Sequence, residues 1–201
     1  WATIYCGDCL EVMPLMETEG VDFIYADPPY GVQKAEWDIE YFTGWELLAL
    51  SKSRKGMVIN TGTKALCKAI SALGNEFKDL FYAWNKNGMT RTSIGFMNVT
   101  VAIVAGKVKM GQNFAQFTIN DLSRKDHPSP KPIEYIKCIV NRFSEINDLI
   151  LDPFLGSGTT CLAAKNLNRK SIGIEINPKY CEIAVKRLRQ EVFDFRKEGQ
   201  K

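Results

Sequence analysis

Short apolar runs alternate along the chain with longer segments whose apolar residues recur at helical spacing. This alternation is typical of a doubly wound α/β sheet with mostly parallel strands. The apolar runs predict buried strands at 3–6, 21–26, 57–60, 149–151 and 172–175. The helical spacing predicts helices at 45–54, 63–73, 132–143, 159–167 and 178–193. Asn177 before Pro178 is a plausible N-cap and first-turn pair for the last helix.

Two further apolar runs, 81–84 and 99–105, flank a polar loop that contains Gly88 and Gly95. They predict an antiparallel hairpin at one edge of the sheet. Residues 106–130 lack clear periodicity, and a second irregular stretch follows the strand at 21–26. Long loops of this kind often carry binding function, and plain surface loops are the alternative. The length of 201 residues fits one domain, residues 1–201.

The composition is that of a globular chain, with 45% hydrophobic and 24% charged residues. The sequence contains neither a run of about 18 apolar residues nor a basic-then-apolar leader, so we expect a cytoplasmic protein without a membrane partner. The net charge of +3 is compatible with a nucleic-acid partner but is common in other proteins too.

Six cysteines lie mostly inside apolar or helical patterns, which predicts reduced thiols in the core. The segment Cys6-Gly7-Asp8-Cys9 has the spacing of half a zinc site or of a redox pair. A zinc site needs four ligands, and the sequence offers no second cysteine pair and a single histidine, His127. We therefore expect no metal.

A strand, a tight turn and a helix start meet at residues 152–160, Asp-Pro-Phe-Leu-Gly-Ser-Gly-Thr-Thr. Gly156 and Gly158 allow the backbone to approach a ligand, and Glu175 ends the next strand, where a carboxylate can accept hydrogen bonds from a ribose. Neither a third glycine nor a phosphate-binding lysine follows, which disfavours a pyrophosphate. S-adenosylmethionine, with a ribose, an amino-acid tail and no phosphate, fits better.

A second loop, Asp27-Pro28-Pro29-Tyr30, also follows a predicted buried strand. The Asp27 carboxylate and the Pro28 carbonyl can accept the two hydrogens of an exocyclic amine, and Tyr30 can stack on an extruded base. Pro29 stiffens the loop. A structural proline turn is the alternative.

Together the two loops resemble the β-class, circularly permuted DNA amino-methyltransferases, which implies a Rossmann-like methyltransferase fold. Asp8 is similar to the family's adenine-side acid, and the segment from His127 to Pro132 resembles an element beside the methionine end of the cofactor. In the permuted order, the strand ending at Asp27 should lie beside the one ending at Asp152. The resemblance places the S-adenosylmethionine site at Asp8, Cys9, Asp27, His127, Lys131, Asp152, Phe154, Gly156, Ser157, Gly158, Thr159, Thr160, Glu175 and Asn177.

In this family, Asp at the first position of the tetrad is the usual form for adenine N6 transfer, whereas cytosine N4 enzymes more often carry Ser or Thr. The resemblance therefore implies a DNA adenine-N6 methyltransferase in which Asp27, Pro28, Pro29 and Tyr30 are catalytic. A cytosine-N4 enzyme, an RNA methyltransferase and a non-catalytic nucleic-acid-binding subunit are the alternatives.

Basic and polar side chains suggest where DNA binds, and the resemblance implies a short target-recognition insertion at about residues 106–126. The stretch is short for such a module, so either recognition is minimal or further chain or a second subunit contributes. A solvated basic face is the alternative. The resemblance also allows for a homodimer and a cognate restriction endonuclease as partners. The candidate DNA-binding residues are Lys34, Asn85, Lys86, Arg91, Lys107, Lys109, Arg124 and Lys125.

Overall fold

A computed structural model describes residues 1–29, 41–87, 90–92, 95–119 and 131–189. Its strands are β1 (Ala2–Cys6), β2 (Val21–Ala26), β3 (Ser53–Asn60), β4 (Phe77–Asn85), β5 (Thr90–Thr92), β6 (Gly95–Met97), β7 (Val99–Ala105), β8 (Phe114–Phe117), β9 (Leu149–Asp152) and β10 (Lys170–Glu175). Its helices are α1 (Cys9–Val12), α2 (Glu46–Ser51), α3 (Thr63–Leu73), α4 (Ile133–Phe143), α5 (Thr159–Asn166) and α6 (Pro178–Arg189). Within these ranges, none of the helices has the length and hydropathy to cross a bilayer.

Eight strands form one sheet in the order β1-β10-β9-β2-β3-β7-β4-β8. The first five strands of this order are parallel, which confirms the mostly parallel, Rossmann-like sheet. β4 and β7 pair antiparallel, as predicted, and β8 adds a further strand outside them. β8 lies in the segment predicted to be irregular, because four residues on an edge strand produce too short an alternation to detect. β5 and β6 form a separate two-stranded hairpin.

The ends of the described chain meet within this sheet, as the permuted order requires. β1 pairs with β10 in parallel, and Cys6 lies opposite Glu175. α6, which follows β10, contacts both β1 and β10. The first and last strands of the described chain, β1 and β10, therefore lie side by side in the sheet.

The central strands are buried on both faces, which explains their nearly continuous apolar sequence. On β2, Ile24 and Ala26 pack into a cluster with Trp45 on one face of the sheet. Phe23 and Tyr25 pack into a second cluster, with α4 and α5, on the other face. The two layers of helices thus cover the sheet from both sides.

One predicted helix is too long, and another ends outside the described residues. The helix predicted at 45–54 ends at Ser51, and Ser53 and Arg54 belong to β3. Strand pairing overrides the helical pattern here, because the Ser53 hydroxyl donates to the Asp22 carbonyl and the Arg54 guanidinium pairs with the Asp22 carboxylate, both at 3.0 Å. α6 is described as far as Arg189, and the rest of the helix predicted to residue 193 lies outside the described part.

Gly56 allows β3 to pair with β2 despite one extra residue. Val21 lies opposite Ser53 but Phe23 lies opposite Gly56, so β3 bulges between the two pairs. Gly56 has a φ of 129°, and a Cβ atom there would lie 2.5 Å from the carbonyl oxygen of Ala105. Only glycine fits this position without displacing β7.

Replacing Gly56 should therefore destabilise the fold more than the same change at an open glycine. We expect Gly56→Ala to lower the free energy of unfolding by about 2 to 4 kcal/mol, since positive φ and a steric clash add up. Gly44→Ala is the matched control, because Gly44 has a φ of 105° and no atom lies within 4 Å of the position that a Cβ atom would take there. It should cost about 1 to 2 kcal/mol in urea denaturation. Equal costs for the two variants would contradict the packing role of Gly56.

Candidate active site

Two loops leave the sheet at the point where its strand order reverses. β2 and β9 are parallel neighbours, and Ile24 lies opposite Leu151. After β9 the chain turns towards β10, whereas after β2 it turns towards β3 on the other side. The loops that follow the two strands therefore open into one crevice at the carboxyl ends, which is where α/β sheets bind ligands. This confirms the predicted adjacency of the two strands.

Asp27 is the first residue after β2, and two side chains hold its carboxylate. The Asn60 amide donates to Oδ1 at 2.9 Å, and the Lys131 ammonium lies 2.7 Å from Oδ2. The Asp27 side chain remains 19% exposed, so a substrate can still reach it. Lys131 was predicted to bind the cofactor, and the structure places its ammonium on the candidate catalytic carboxylate.

Asn60 and Tyr135 are site residues that the sequence did not single out. Asn60 ends β3, next to the strand that carries Asp27, and Tyr135 lies in the first turns of α4. The Tyr135 hydroxyl donates to the Asn60 Oδ1 atom at 3.0 Å. A polar residue at the carboxyl end of a buried parallel strand was the available signal for Asn60. Tyr135 carried no such signal, because it falls on the apolar stripe of an amphipathic helix.

The rest of the tetrad is partly described. Pro28 is buried and Pro29 is half-buried, and neither has an N–H group that could compete for the acceptors of the loop. Tyr30 lies outside the described residues.

The glycine loop after β9 folds back against the end of β10. The Phe154 N–H donates to the Asp152 carboxylate at 2.9 Å, and the Gly156 N–H donates to Glu175 Oε2 at 2.8 Å. Gly156 and Gly158 have positive φ angles of 53° and 87°. A Cβ atom at Gly158 would also lie 2.8 Å from the Cβ of Ala184 on α6. Both glycines are therefore needed for the loop to turn and pack.

Arg187 of α6 binds this loop through hydrogen bonds that the sequence did not predict. Its guanidinium donates to the carbonyl and hydroxyl oxygens of Ser157 at 2.7 and 2.8 Å, and to the hydroxyl of Thr159 at 3.3 Å. Ser157 and Thr159 were predicted to belong to the cofactor site. In the structure their hydroxyls bind α6, so the loop offers a ligand its backbone more than these hydroxyls.

Glu175 and Asp8 end neighbouring strands and present carboxylates at the same edge. Glu175 Oε1 accepts from the Asn177 N–H at 2.8 Å, and Asp8 accepts from the Leu10 N–H at 2.8 Å as the N-cap of α1. Each carboxylate oxygen has a second lone pair, so Glu175 can still accept from ribose hydroxyls. Burial raises the pKa of Glu175, while its bonds from backbone N–H groups act in the opposite direction.

The side chain of Asn177 has a structural task. Its oxygen accepts from the Lys179 N–H at 3.0 Å, which confirms the predicted N-cap of α6. Its backbone N–H orients Glu175, so Asn177 serves the cofactor side through that carboxylate.

Phe154, in the glycine loop, packs against two aromatic side chains of the core. Its ring packs edge-to-face against Trp45, with centroids 4.8 Å apart, and against Phe42 at 6.0 Å. Trp45 is fully buried at the start of α2. This arrangement anchors the glycine loop to the helix layer.

Asp152 is a buried acid at the centre of the site, with only 2% of its surface exposed. Burial, with smaller contributions from the negative charges of Asp27 and Glu175, raises the pKa of its carboxyl to about 7. Hydrogen bonds from the Thr160 hydroxyl and the Phe154 N–H act in the opposite direction. Thr160 is itself buried, so its side chain supports Asp152 rather than facing solvent.

The cysteines do not form a metal centre in the part of the chain that is described. All six are free thiols, and no group of three or more potential ligands lies close enough among the described residues to hold an ion. Burial raises the pKa of Cys9 to about 12, so its thiol stays protonated beside Asp8.

The candidate DNA-binding residues divide between the two edges of the sheet. Asn85 and Lys86 lie at the end of β4, which runs parallel to β3, so they share the edge of Asp27. Arg91 lies in the β5–β6 hairpin that follows them. The DNA-binding candidates Lys34, Arg124 and Lys125 lie outside the described residues, as does His127, a candidate for the cofactor site.

Lys107 and Lys109 lie at the opposite edge, beyond the end of β7. Their ammonium groups pair with Glu19 at 2.9 Å and with Glu145 at 2.6 Å, residues that precede β2 and β9. The structure therefore does not bring these two lysines to the crevice. Their position in the sequence suggested a recognition insertion, but β7 runs antiparallel to β3 and carries the chain away from the site.

Comparison with known proteins decides the family. The profile of the N6/N4 DNA methylase family matches residues 70–186, more than half of the chain. The chain belongs to the N6/N4 DNA methylase family.

Two relatives align over nearly the whole chain. The type II methyltransferase M.HinfI of Haemophilus influenzae is 28% identical, over 94% of this chain and 68% of its own length. The DNA adenine methyltransferase YhdJ of Escherichia coli K12 is 25% identical, over 92% and 82%.

Solved structures share the fold. The M1.HpyAVI–SAM complex superposes with a TM-score of 0.71 at 27% identity, over 93% of this chain and 100% of that one. The cytosine-N4-specific PvuII DNA methyltransferase gives a TM-score of 0.70 at 21% identity, over 94% and 87%, which shows the fold alone.

The cofactor of this DNA methylase is S-adenosylmethionine. The residues present fit it, because strand ends around the crevice carry the carboxyl groups of Asp8, Asp27, Asp152 and Glu175. Acidic groups suit a cofactor that carries a positive sulfonium and an ammonium. Glu175 and the backbone of the glycine loop would hold its ribose and amino-acid tail.

The buried carboxyl of Asp152 should make stability depend on pH. Its pKa of about 7 in the native state exceeds the value near 3.9 of an unfolded aspartate, so the native state keeps a proton that the unfolded state releases. The contribution of this group to the free energy of unfolding therefore falls as pH rises from about 4 to about 7. We expect Asp152→Asn to gain stability relative to wild type across that window and to show a constant difference above it.

Chemical denaturation at a series of pH values measures this difference. Asp79→Asn on β4 is the control, since Asp79 is exposed and lies outside the crevice. A difference between Asp152→Asn and wild type that does not change with pH would show that Asp152 is ionised throughout.

Proposed function

We propose that this DNA methylase forms a single domain that methylates the N6 amine of adenine in DNA. The observation that carries the proposal is the Asp27 carboxylate, held between Asn60 and Lys131 but still exposed to the crevice beside the glycine loop. An acceptor for amine hydrogens thus faces the same crevice as the site for the cofactor.

The amine of adenine is a poor nucleophile because its lone pair is delocalised into the ring. Asp27 and the Pro28 carbonyl would accept its two hydrogens, which draws the nitrogen towards a tetrahedral geometry and directs its lone pair. Asn60 and Lys131 each use one acceptor position of Asp27, so free lone pairs remain on the carboxylate. The bound cofactor supplies an activated methyl group at this place.

The aspartate at position 27 favours adenine over cytosine, and the likeness to YhdJ, named as an adenine methyltransferase, supports that choice. Cytosine N4 is the second candidate, because the family whose profile matches this chain includes both N6 and N4 methylases. Both targets present a conjugated exocyclic amine to the same pair of acceptors, so the base is distinguished by the shape of its pocket.

DNA would approach the carboxyl edge of the sheet, where Asn85, Lys86 and the β5–β6 hairpin with Arg91 lie. An enzyme that reacts with a base in a duplex must extrude that base into the crevice. The naming of M.HinfI as a type II methyltransferase fits a role in restriction-modification, with a cognate endonuclease as partner. A homodimer would extend the DNA-binding face.

Incubation with tritiated S-adenosylmethionine and separate DNA and RNA substrates tests the proposal. Hydrolysis of the product to nucleosides should place the label in N6-methyldeoxyadenosine. Label in N4-methyldeoxycytidine would replace the adenine assignment with its cytosine alternative, and label in RNA alone would contradict a DNA substrate.

The role of Asp27 predicts a specific loss. Asp27→Ala should lower methyl transfer by at least about a hundredfold, because the amine loses the acceptor that orients it. Affinity for S-adenosylhomocysteine, measured by calorimetry, should change little. Asp79→Ala, which removes an exposed carboxylate from β4, is the control and should retain wild-type turnover. Undiminished turnover of Asp27→Ala would rule out the assigned role.

A further inference from the structure

We infer that Asn60 and Tyr135 are positioning residues that hold the Asp27 carboxylate in place and aim it at the substrate amine. The inference rests on the proposed function, since it assigns a role in the transfer step. Neither residue belongs to the two loops that identify the family.

The place of Asn60 follows from the pairing of β2 with β3. Ala26 lies opposite Ile59, so the next residues along the two parallel strands, Asp27 and Asn60, emerge side by side. The Asn60 amide nitrogen lies 2.9 Å from Asp27 Oδ1. The contact therefore joins the ends of two rigid strands, which limits how far the carboxylate can turn.

Tyr135 determines which end of the amide faces Asp27. Its hydroxyl donates to Asn60 Oδ1 at 3.0 Å, so the amide oxygen points to α4 and the amide N–H group points to the carboxylate. An N–H group can only donate, so this orientation of the amide matches the acceptor oxygen of the carboxylate.

Residues at and just before the start of α4 hold both oxygens of Asp27, one directly and one through Asn60. Lys131, four residues before Tyr135, lies 2.7 Å from Oδ2 and thus opposes the amide on Oδ1. Among the described residues, the charged and titratable groups that face Asp27 are Lys131 before α4, Tyr135 through Asn60, and Asp152 at the end of β9. Asp152 is also an acid, and a negative charge on it would repel the Asp27 carboxylate. The hydrogen bond from Asn60 and the positive charge of Lys131 offset this repulsion.

A purely structural role would explain the same contacts, because Asn60 and Tyr135 are 2% and 1% exposed and buried polar groups need partners. The two roles differ in what a substitution changes. A structural contact affects stability and every step alike, whereas a positioning contact affects the turnover number and its dependence on pH.

The test compares Tyr135→Phe and Asn60→Asp with wild type, and uses Tyr82→Phe as the control, since Tyr82 is exposed on β4. Turnover is measured against pH on a duplex that wild type methylates, at a temperature well below every unfolding midpoint. Affinity for S-adenosylhomocysteine and for DNA is measured by calorimetry and by fluorescence anisotropy. A wild-type protein that methylates no nucleic acid would refute the proposed function itself, before the variants are compared.

We expect Tyr135→Phe to lower kcat roughly tenfold, as for the loss of one hydrogen bond to a buried group, with both affinities within about twofold of wild type. Asn60→Asp places a second carboxyl beside Asp27, so the acid limb of its kcat profile should move up by about one pH unit or more. Asp152 is present in wild type and in every variant, so its titration affects all the profiles. The test therefore uses the difference between the acid limbs of the variant and wild-type kcat profiles. Tyr82→Phe should match wild type.

Unchanged kcat in Tyr135→Phe, or an acid limb in Asn60→Asp that coincides with that of wild type, would overturn the inference. Equal losses in kcat and in cofactor affinity would also overturn it, because they indicate a structural role. If Asn60→Asp does not fold, the acid limb of Tyr135→Phe decides, since a freed amide can turn its oxygen towards Asp27 and raise the pKa of that carboxyl.

Discussion

The parallel pairing of β2 with β9 is the contact on which the function of this DNA methylase depends. It places Asp27 and Asp152 at the ends of adjacent strands, although the loops that contain them belong to distant parts of the sequence. Because the chain leaves these strands in opposite directions, the two loops diverge and a crevice opens between them. The crevice is therefore a consequence of strand order.

Negative charge converges on this crevice, and the structure stabilises it in different ways. Glu175 receives two backbone N–H groups, and Asp27 receives an amide and an ammonium. Asp152 is buried so completely that its pKa rises to about 7, which places it among the groups that cofactor charge can shift. The acids suit a positively charged cofactor, but their roles differ. Asp27 is the proposed acceptor for the substrate amine, whereas Asp152 and Glu175 accept hydrogen bonds from the glycine loop.

Two different helices hold the two loops. α4 supports the base loop, because Tyr135 and the residue Lys131 that precedes the helix converge on Asp27. α6 supports the glycine loop, because Arg187 binds Ser157 and Ala184 packs against Gly158. Each loop is thus anchored to a helix in a packed layer, which provides the rigidity that alignment of an amine with a methyl group requires.

The sequence by itself determined the strands, most of the helices, the N-cap at Asn177 and the two loops, since periodicity and turn residues are local signals. It did not predict the β5–β6 hairpin or β8, whose four residues give too short an alternation to detect. It also extended the helix at 45–54 into β3, where pairing with β2 overrode local propensity. Only the tertiary structure brought Asn60 to Asp27, 33 residues away, and Tyr135 to Asn60, 75 residues away. It also placed Lys107 and Lys109, the two lysines after β7, at the edge of the sheet opposite Asp27. Such contacts arise when strands and helices pack, and no spacing along the chain encodes them.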